Sequence, residues 1–209
     1  MRIEIDPIEP EEWLIARAAD VLARGGVGVI PTDTVYGLAC DIGSSHAIER
    51  IYALKKLDAK KPLSILIPDL KAAGRFATNI STPAFRLMKR VLPGPFTFIF
   101  EATREVPRIM LRKRRTIGLR IPDNAIVLAL LEELDRPLLT TSIRTPEDEF
   151  VNDPEEIEDR LGTRVDLVVD GGVLLPEPST VVDFAGDEPV LVRAGKGDVS
   201  LLELTDQQA

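Results

Sequence analysis

Val29-Ile30-Pro31-Thr32-Asp33-Thr34-Val35-Tyr36-Gly37-Leu38 reads as a buried strand that runs into a hydroxyl-rich loop and leaves it as strand again. A strand that only had to be buried gains nothing by ending in Thr-Asp-Thr-x-Tyr-Gly. A site that grips a small polar ligand needs hydroxyls and close backbone at a strand end. The loop predicts a binding edge.

Outward from that loop, helical and strand patterns alternate, which predicts an α/β fold. Before it, residues 11–24 place Leu14, Ala18, Val21 and Leu22 on one helical stripe, with Gly25-Gly26 as the stop, and residues 27–30 follow as strand. After it, residues 38–42 read as strand, Ser44 or Ser45 as the cap of a helix reaching residue 55, and residues 63–67 as strand. Thr82-Pro83 predicts a helix in the N-cap and first-turn arrangement, stopped by Pro93-Gly94-Pro95 ahead of a strand at 96–100. Strands at 116–121 and 138–142 flank a helix at 123–134 with Val127, Leu130, Leu131 and Leu134 on one face. Asp153-Pro154-Glu155-Glu156 predicts a short helix start, and residues 165–169, 180–183 and 190–193 are the last strands, with turns at Gly171-Gly172 and Gly186-Asp187. Because some strands are joined by helices and others by turns, the expectation is a mixed sheet wrapped by helices.

The 209 residues, 44% hydrophobic and 29% charged, suffice for a single domain over residues 1–209 with a sizeable core. No apolar run approaches the roughly 18–20 residues of a membrane span, and the acidic first ten residues are unlike a signal peptide. A cytoplasmic protein without membrane contact is the expectation. Cys40, the only cysteine, cannot form an internal disulfide and reads as a small core residue without a chemical role. The net charge of -8 is unevenly spread. Residues 50–61 hold five bases against one acid and residues 104–115 six against one, whereas residues 147–209 hold seventeen acids against four bases. The basic runs are either solvated faces or one shared binding face, and the acidic third is either solvated surface or a partner contact.

One histidine, His46, near the start of a predicted helix, argues against histidine acid–base chemistry and histidine metal clusters. Neither Gly-x-x-x-x-Gly-Lys-Ser/Thr nor Gly-x-Gly-x-x-Gly occurs, so phosphate would have to be held by side chains. Lys55, Lys56, Lys60, Lys61, Arg120, Arg144 and Arg193 fall near predicted strand ends, accompanied by Thr32, Thr34, Ser64, Thr140, Thr141, Ser142, Ser179 and Thr180. Cations and hydroxyls without a histidine suit group transfer at phosphorus, where positioning and charge stabilisation dominate.

Six motifs in order carry a resemblance over nearly the whole chain. They are Pro31-Thr32-Asp33-Thr34-x-Tyr36-Gly37-Leu38, Lys61-Pro62-Leu63, Pro93-Gly94-Pro95-x-Thr97, Gly118-x-Arg120-x-Pro122, Pro178-Ser179-Thr180-Val181-Val182-Asp183 and Arg193-x-Gly195. In this the chain resembles the YrdC/YciO family. The resemblance implies a twisted mixed β-sheet wrapped by helices around a large, positively lined cavity. It also implies threonylcarbamoyl-AMP synthase activity, in which L-threonine, bicarbonate or CO2, and ATP give threonylcarbamoyl-AMP and pyrophosphate for threonylcarbamoyladenosine modification of tRNA. Mg2+ would be bound through the phosphates, with no protein metal ligands, and a downstream threonylcarbamoyl transfer machinery would take the product. Family members are also described as binding double-stranded RNA.

Carried over residue by residue, the resemblance gives Lys55, Lys61 and Ser142 as catalytic, and Arg144, at the position of a family amide, is placed with them. Thr32, Thr34, Tyr36, Ser64, Arg120, Ser179, Thr180 and Arg193 are the corresponding substrate- and nucleotide-binding set. Two positions depart from the family pattern. Leu57 stands where an arginine usually follows the lysine, and Arg144 stands where Ser-x-Asn usually supplies an amide, as in the YciO-type branch. The alternatives are a synthase with a rearranged anion clamp, a nucleotide- or double-stranded-RNA-binding member without synthase activity, and a related hydrolysis in the same cavity.

Overall fold

In a computed structural model that describes residues 1–55, 63–111 and 115–202, ten strands form one mixed sheet. In chain order the strands are β1 (Arg2–Glu4), β2 (Gly28–Ile30), β3 (Gly37–Asp41), β4 (Ser64–Leu66), β5 (Phe96–Glu101), β6 (Thr116–Arg120), β7 (Leu138–Ser142), β8 (Leu167–Asp170), β9 (Thr180–Asp183) and β10 (Val190–Arg193). Their spatial order is β1-β8-β2-β3-β7-β4-β6-β5-β9-β10. Pairing is parallel at β1–β8, β8–β2, β4–β6 and β5–β9 and antiparallel elsewhere. The expected mixed sheet flanked by helices is what the chain forms.

Among the described residues six α-helices accompany it: α1 (Glu12–Ala23), α2 (Ser45–Lys55), α3 (Ala73–Phe76), α4 (Thr82–Val91), α5 (Ala125–Leu134) and α6 (Pro154–Leu161). Their ends follow local chemistry. After α1 the chain turns at Gly25 with φ +83°, a conformation without penalty only for glycine, and the amides of Gly25 and Gly26 bond back to Leu22 and Val21. Ser44 caps α2, Asn124 caps α5 and Asp153 caps α6, each accepting from a backbone amide in the first turn. For α4 the cap lies one residue earlier than the sequence suggests: Ser81 accepts from the amide of Ala84, and Thr82-Pro83 are the first two helical residues. Strand β1 and the turns at 70–76 were not expected, because three-residue elements are too short to show a period. β1 is fixed by Ile3 and Ile5, both buried, and by Arg2, which binds Asp170 on β8 through Nε at 2.9 Å.

The period of two along each strand divides the apolar residues between two cores. Phe96, Phe98 and Phe100 of β5, Leu139 of β7 and Cys40 of β3 point into the larger core. On the other face, Ala39, Leu66, Leu138 and Leu167 pack under α1 and α5, which contribute Leu14, Ala18, Leu22, Val127, Leu130 and Leu131. These two helices cover only part of that face. Among the described residues no helix is long and apolar enough to cross a membrane.

Candidate active site

Beyond α1 and α5 the same face stays open, and the rows of side chains that begin as core continue as a cavity. On β7 the row runs Leu138, Thr140, Ser142; on β4, Leu66 then Ser64; on β3, Ala39 then Gly37. Thr97 and Ile99 of β5, Gly118 and Arg120 of β6 and Val181 of β9 complete a cavity of ≈ 160 Å³. Two glycines keep the floor low. A Cβ at Gly37 would lie 2.6 Å from Thr140 Oγ1, and one at Gly118 would lie 2.9 Å from Ser64 Oγ. Ser64, Thr140 and Ser142 have no side-chain hydrogen bond among the described residues, so their hydroxyls are available to a ligand.

The loop between β2 and β3 forms one wall, and its hydroxyls are largely internal. The Thr32 hydroxyl donates to the Val35 carbonyl at 2.7 Å and accepts from the amides of Thr34 and Val35. Its one hydrogen is thereby used, so in the 2.9 Å contact between the two threonines Thr34 is the donor. Thr34 Oγ1 in turn accepts from Arg120 Nη2 at 2.9 Å, and the same nitrogen meets Asp33 Oδ1 at 2.8 Å. Arg120 and Asp33 are a buried ion pair, with side chains 8% and 7% exposed. Burial pulls Arg120 below the ordinary guanidinium range, opposed by Asp33. Among the described residues Asp33 Oδ2 and Arg120 Nε have no partner. Tyr36 is fully buried: its hydroxyl donates to the Gly172 carbonyl and accepts from the Gly171 amide, and burial raises its ionisation well above the usual phenol range. The loop is further fixed by Asn152 Oδ1, which accepts from the Tyr36 amide at 3.0 Å.

The opposite wall carries Arg193. A β-bulge in β10 makes Arg193, rather than Val192, the partner of the cavity-facing Val181, so an irregularity of one residue turns a cation into the site. Arg193 donates through Nε and Nη2 to the Ser179 carbonyl at 3.0 and 2.8 Å and through Nη2 to the Ser179 hydroxyl at 3.1 Å. Ser179 also contacts Thr97 across the cavity wall, hydroxyl to hydroxyl at 2.8 Å. Among the described residues Arg193 has no acidic partner. Burial first, then the nearby Arg144 and Arg120, lower its hold on its proton. Three guanidinium groups thus converge with two carboxylates, Asp33 and Asp148, each already bound to one of them. Among the described residues Arg193 is thus a cation at the cavity wall that no carboxylate balances, which favours an anion there.

The predicted residues divide accordingly. Thr32, Tyr36, Ser64, Arg120, Ser142, Ser179 and Arg193 line the cavity together. Thr34 lies behind Arg120 and holds it. Thr180 is on the far side of β9 from Val181; its hydroxyl bonds the Gly197 carbonyl and the Gly195 amide and pins the closing loop. Lys55, at the end of α2, donates to Thr141 Oγ1 at 3.0 Å and to the Ser142 carbonyl, tethering the end of β7 rather than lining the cavity. Arg144 sits at the rim, bound to Asp148. Lys56, Leu57, Lys60 and Lys61 lie outside the described residues. The site also uses Thr97, Asn152, Phe150 and Lys196, whose ammonium reaches the Asp33 carbonyl at 2.6 Å, and sequence pattern assigns none of them a role. Thr97 was within a quoted motif; Asn152 had no local signal, since its partner lies 116 residues away. Of the basic runs, Arg50 is neutralised by Asp166 at 2.6 Å, and α2 packs against the turn Arg108–Leu111, which makes the described parts of the two runs neighbours.

A mixed sheet with a glycine-floored, hydroxyl-bearing, cationic cavity on its uncovered face defines the class: an α/β protein whose cavity chemistry suits a small anionic ligand. The family model for Sua5, YciO and YrdC proteins, described as telomere recombination, matches residues 20–195, and the chain belongs to that family. It is 45% identical to YciO of Escherichia coli over 197 residues, 93% of this chain and 95% of that one. The crystal structure of E. coli YciO superposes with a TM-score of 0.92 over 97% of this chain and 98% of that one, at 43% identity. A threonylcarbamoyl-AMP synthase of Pyrococcus abyssi is 31% identical over 186 residues, 88% of this chain and 55% of the synthase. The crystal structure of P. abyssi Sua5 complexed with L-threonine matches with a TM-score of 0.88 and 30% identity over 93% of this chain and 57% of that one.

Proposed function

We propose that this chain is a nucleotidyltransferase of the threonylcarbamoyl-AMP synthase type. The observation that carries the reading is Arg193: a half-buried cation, without an acidic partner among the described residues, that Ser179 holds at a cavity lined by hydroxyls. Such a cation attracts a polyphosphate, and a family relative is known in complex with L-threonine. In the reaction, the amine of threonine takes up CO2 and loses a proton to give a carbamate. A carbamate oxygen forms a bond to the α-phosphorus of ATP, the bond from that phosphorus to the bridging oxygen breaks, and pyrophosphate leaves with the electron pair. Two anions approach each other in this step, so Arg193 acts by neutralising charge in a site of low dielectric, while Arg120, already balanced by Asp33, fixes the wall loop through Thr34. Ser64, Thr140 and Ser142 supply neutral hydrogen bonds that orient the substrates. Among the described residues no group of three or more His, Cys, Asp or Glu side chains converges, and the acids nearest the cavity are paired with arginines, so no protein site for Mg2+ is assigned. Magnesium would be carried by the phosphates.

Pyrophosphate release from ATP, Mg2+ and bicarbonate, with and without L-threonine, tests the reading. Threonine-dependent release that falls by more than about tenfold in Arg193→Ala is expected. Release that ignores threonine, or that Arg193→Ala leaves intact, overturns it. A second reading, a nucleotide- or double-stranded-RNA-binding protein without synthase activity, is favoured by the clasp of Arg144 on Asp148 and by the adjacency of the two basic segments. It predicts ATP binding without turnover, and RNA affinity whose logarithm falls linearly with log salt.

A further inference from the structure

Beyond Ser142 the cavity-facing row of β7 continues to Arg144, which is held in a short hairpin by a bridge to Phe150. Phe150 lines the cavity, and the Arg144 guanidinium lies over its ring at 4.1 Å from the centroid. Arg144 Nη1 donates to Asp148 Oδ2 at 2.6 Å and to the Asp148 carbonyl at 3.2 Å. The Asp148 side chain is 68% exposed and that of Arg144 26%. The group at the rim is therefore a cation whose present partner is a surface carboxylate, an interaction that water and salt weaken greatly. A polyphosphate in the cavity offers it a partner of higher charge in a drier place, and Arg144 is already near enough to Arg193 to disfavour that residue's charge.

We propose that Asp148 is a specificity-setting competitor, an internal anion that occupies Arg144 until a phosphate ligand displaces it, with Phe150 as the platform along which the guanidinium turns. The proposal rests on the reading that the cavity holds a polyphosphate. It adds that this site discriminates by charge: a weakly charged ligand leaves Arg144 on Asp148, and a polyphosphate draws it inward. Asp148 has φ +70°, a left-handed conformation that asparagine also tolerates, so Asp148→Asn removes the competing charge without straining the turn.

The test is a double-mutant cycle on the full chain, with inorganic pyrophosphate as the ligand and calorimetric Kd as the readout. Asp148→Asn is expected to tighten pyrophosphate about threefold, the order of an exposed ion pair. Arg144→Met, which keeps length and contact with Phe150 while removing the charge, is expected to weaken it about tenfold. In the Arg144→Met background Asp148→Asn should then have no effect. Glu147→Gln removes the same charge from the same turn without a contact to Arg144 and should leave Kd within error. If Glu147→Gln tightens binding as much as Asp148→Asn, or if the Asp148→Asn effect persists without Arg144, a general field is acting and the competitor role is overturned. If the parent protein does not bind pyrophosphate, the polyphosphate reading falls with it; if it binds and the two substitutions are additive, only the competitor role falls.

Discussion

One face of the sheet has two halves that differ only in what lies above them. Where α1 and α5 cover it, β3, β4 and β7 present Ala39, Leu66 and Leu138; two residues before them on β3 and β4 and two after on β7, the strands present Gly37, Ser64 and Thr140. The backbone is the same, and the strands do not end between the halves. Composition follows the covering layer: side chains under helices remove apolar area from water, and those in the open half keep hydroxyls for a ligand to use. Arg120 stands at the border, paired in register with Leu66 of the covered half and bonded to the loop that walls the open one.

That contrast can be broken at either half. The largest effect is expected from Leu130→Ala in α5, a fully buried side chain, which should lower stability to urea by about 2–5 kcal/mol. Pyrophosphate affinity of the protein that remains folded should stay unchanged; a loss above about threefold would show that the helices shape the cavity as well as cover the core. A perturbation from the opposite face should reach both halves together. Burial pushes the Cys40 thiol up to about 12, so above the unfolded thiol's ordinary range only the folded state keeps the proton. Stability should therefore fall with rising pH, by about 2 kcal/mol between pH 8 and pH 10 from this group alone, and Cys40→Ala should flatten the dependence. Urea midpoints at the two pH values measure it, and identical slopes for parent and variant would dismiss the thiol as the cause. The smallest effect belongs to the open half. Ser64→Ala should leave stability within about 0.5 kcal/mol and cost about 0.5–1.5 kcal/mol of pyrophosphate binding by calorimetry. A stability loss matching that of Leu130→Ala would erase the distinction.

Much of this was legible from period and punctuation. The amphipathic stripes of α1 and α5, the glycine stop after α1 and the strands around the Thr32–Tyr36 loop all depend on neighbours in sequence. The residues that the sequence reading placed at the site are mostly at the cavity, but their parts differ. A hydroxyl's availability is set by hydrogen-bond direction, and Thr34 and Thr180 are occupied by Arg120 and by the Gly195–Gly197 loop, partners that no local pattern reveals. Arg193 faces the cavity through a bulge that simple alternation from Val190 would miss. Asp33 was quoted within a motif without a role, which its buried bond to Arg120 now supplies. β1 and the Ser81 cap were missed for the opposite reason, being too short or too slightly offset to register.

The bulge at the end of β10 also has a consequence in time. Most of the floor, from β3 to β7, and the wall loop between β2 and β3 are made before residue 143, whereas Arg193 takes its place only when β10 has paired with β9. A nascent chain that has emerged up to β7 holds the hydroxyls and the Arg120–Asp33 pair but not Arg193. If the cavity holds a polyphosphate as proposed, its capture through Arg193 waits on completion of the sheet, and such a ligand would favour chains whose last strand is docked.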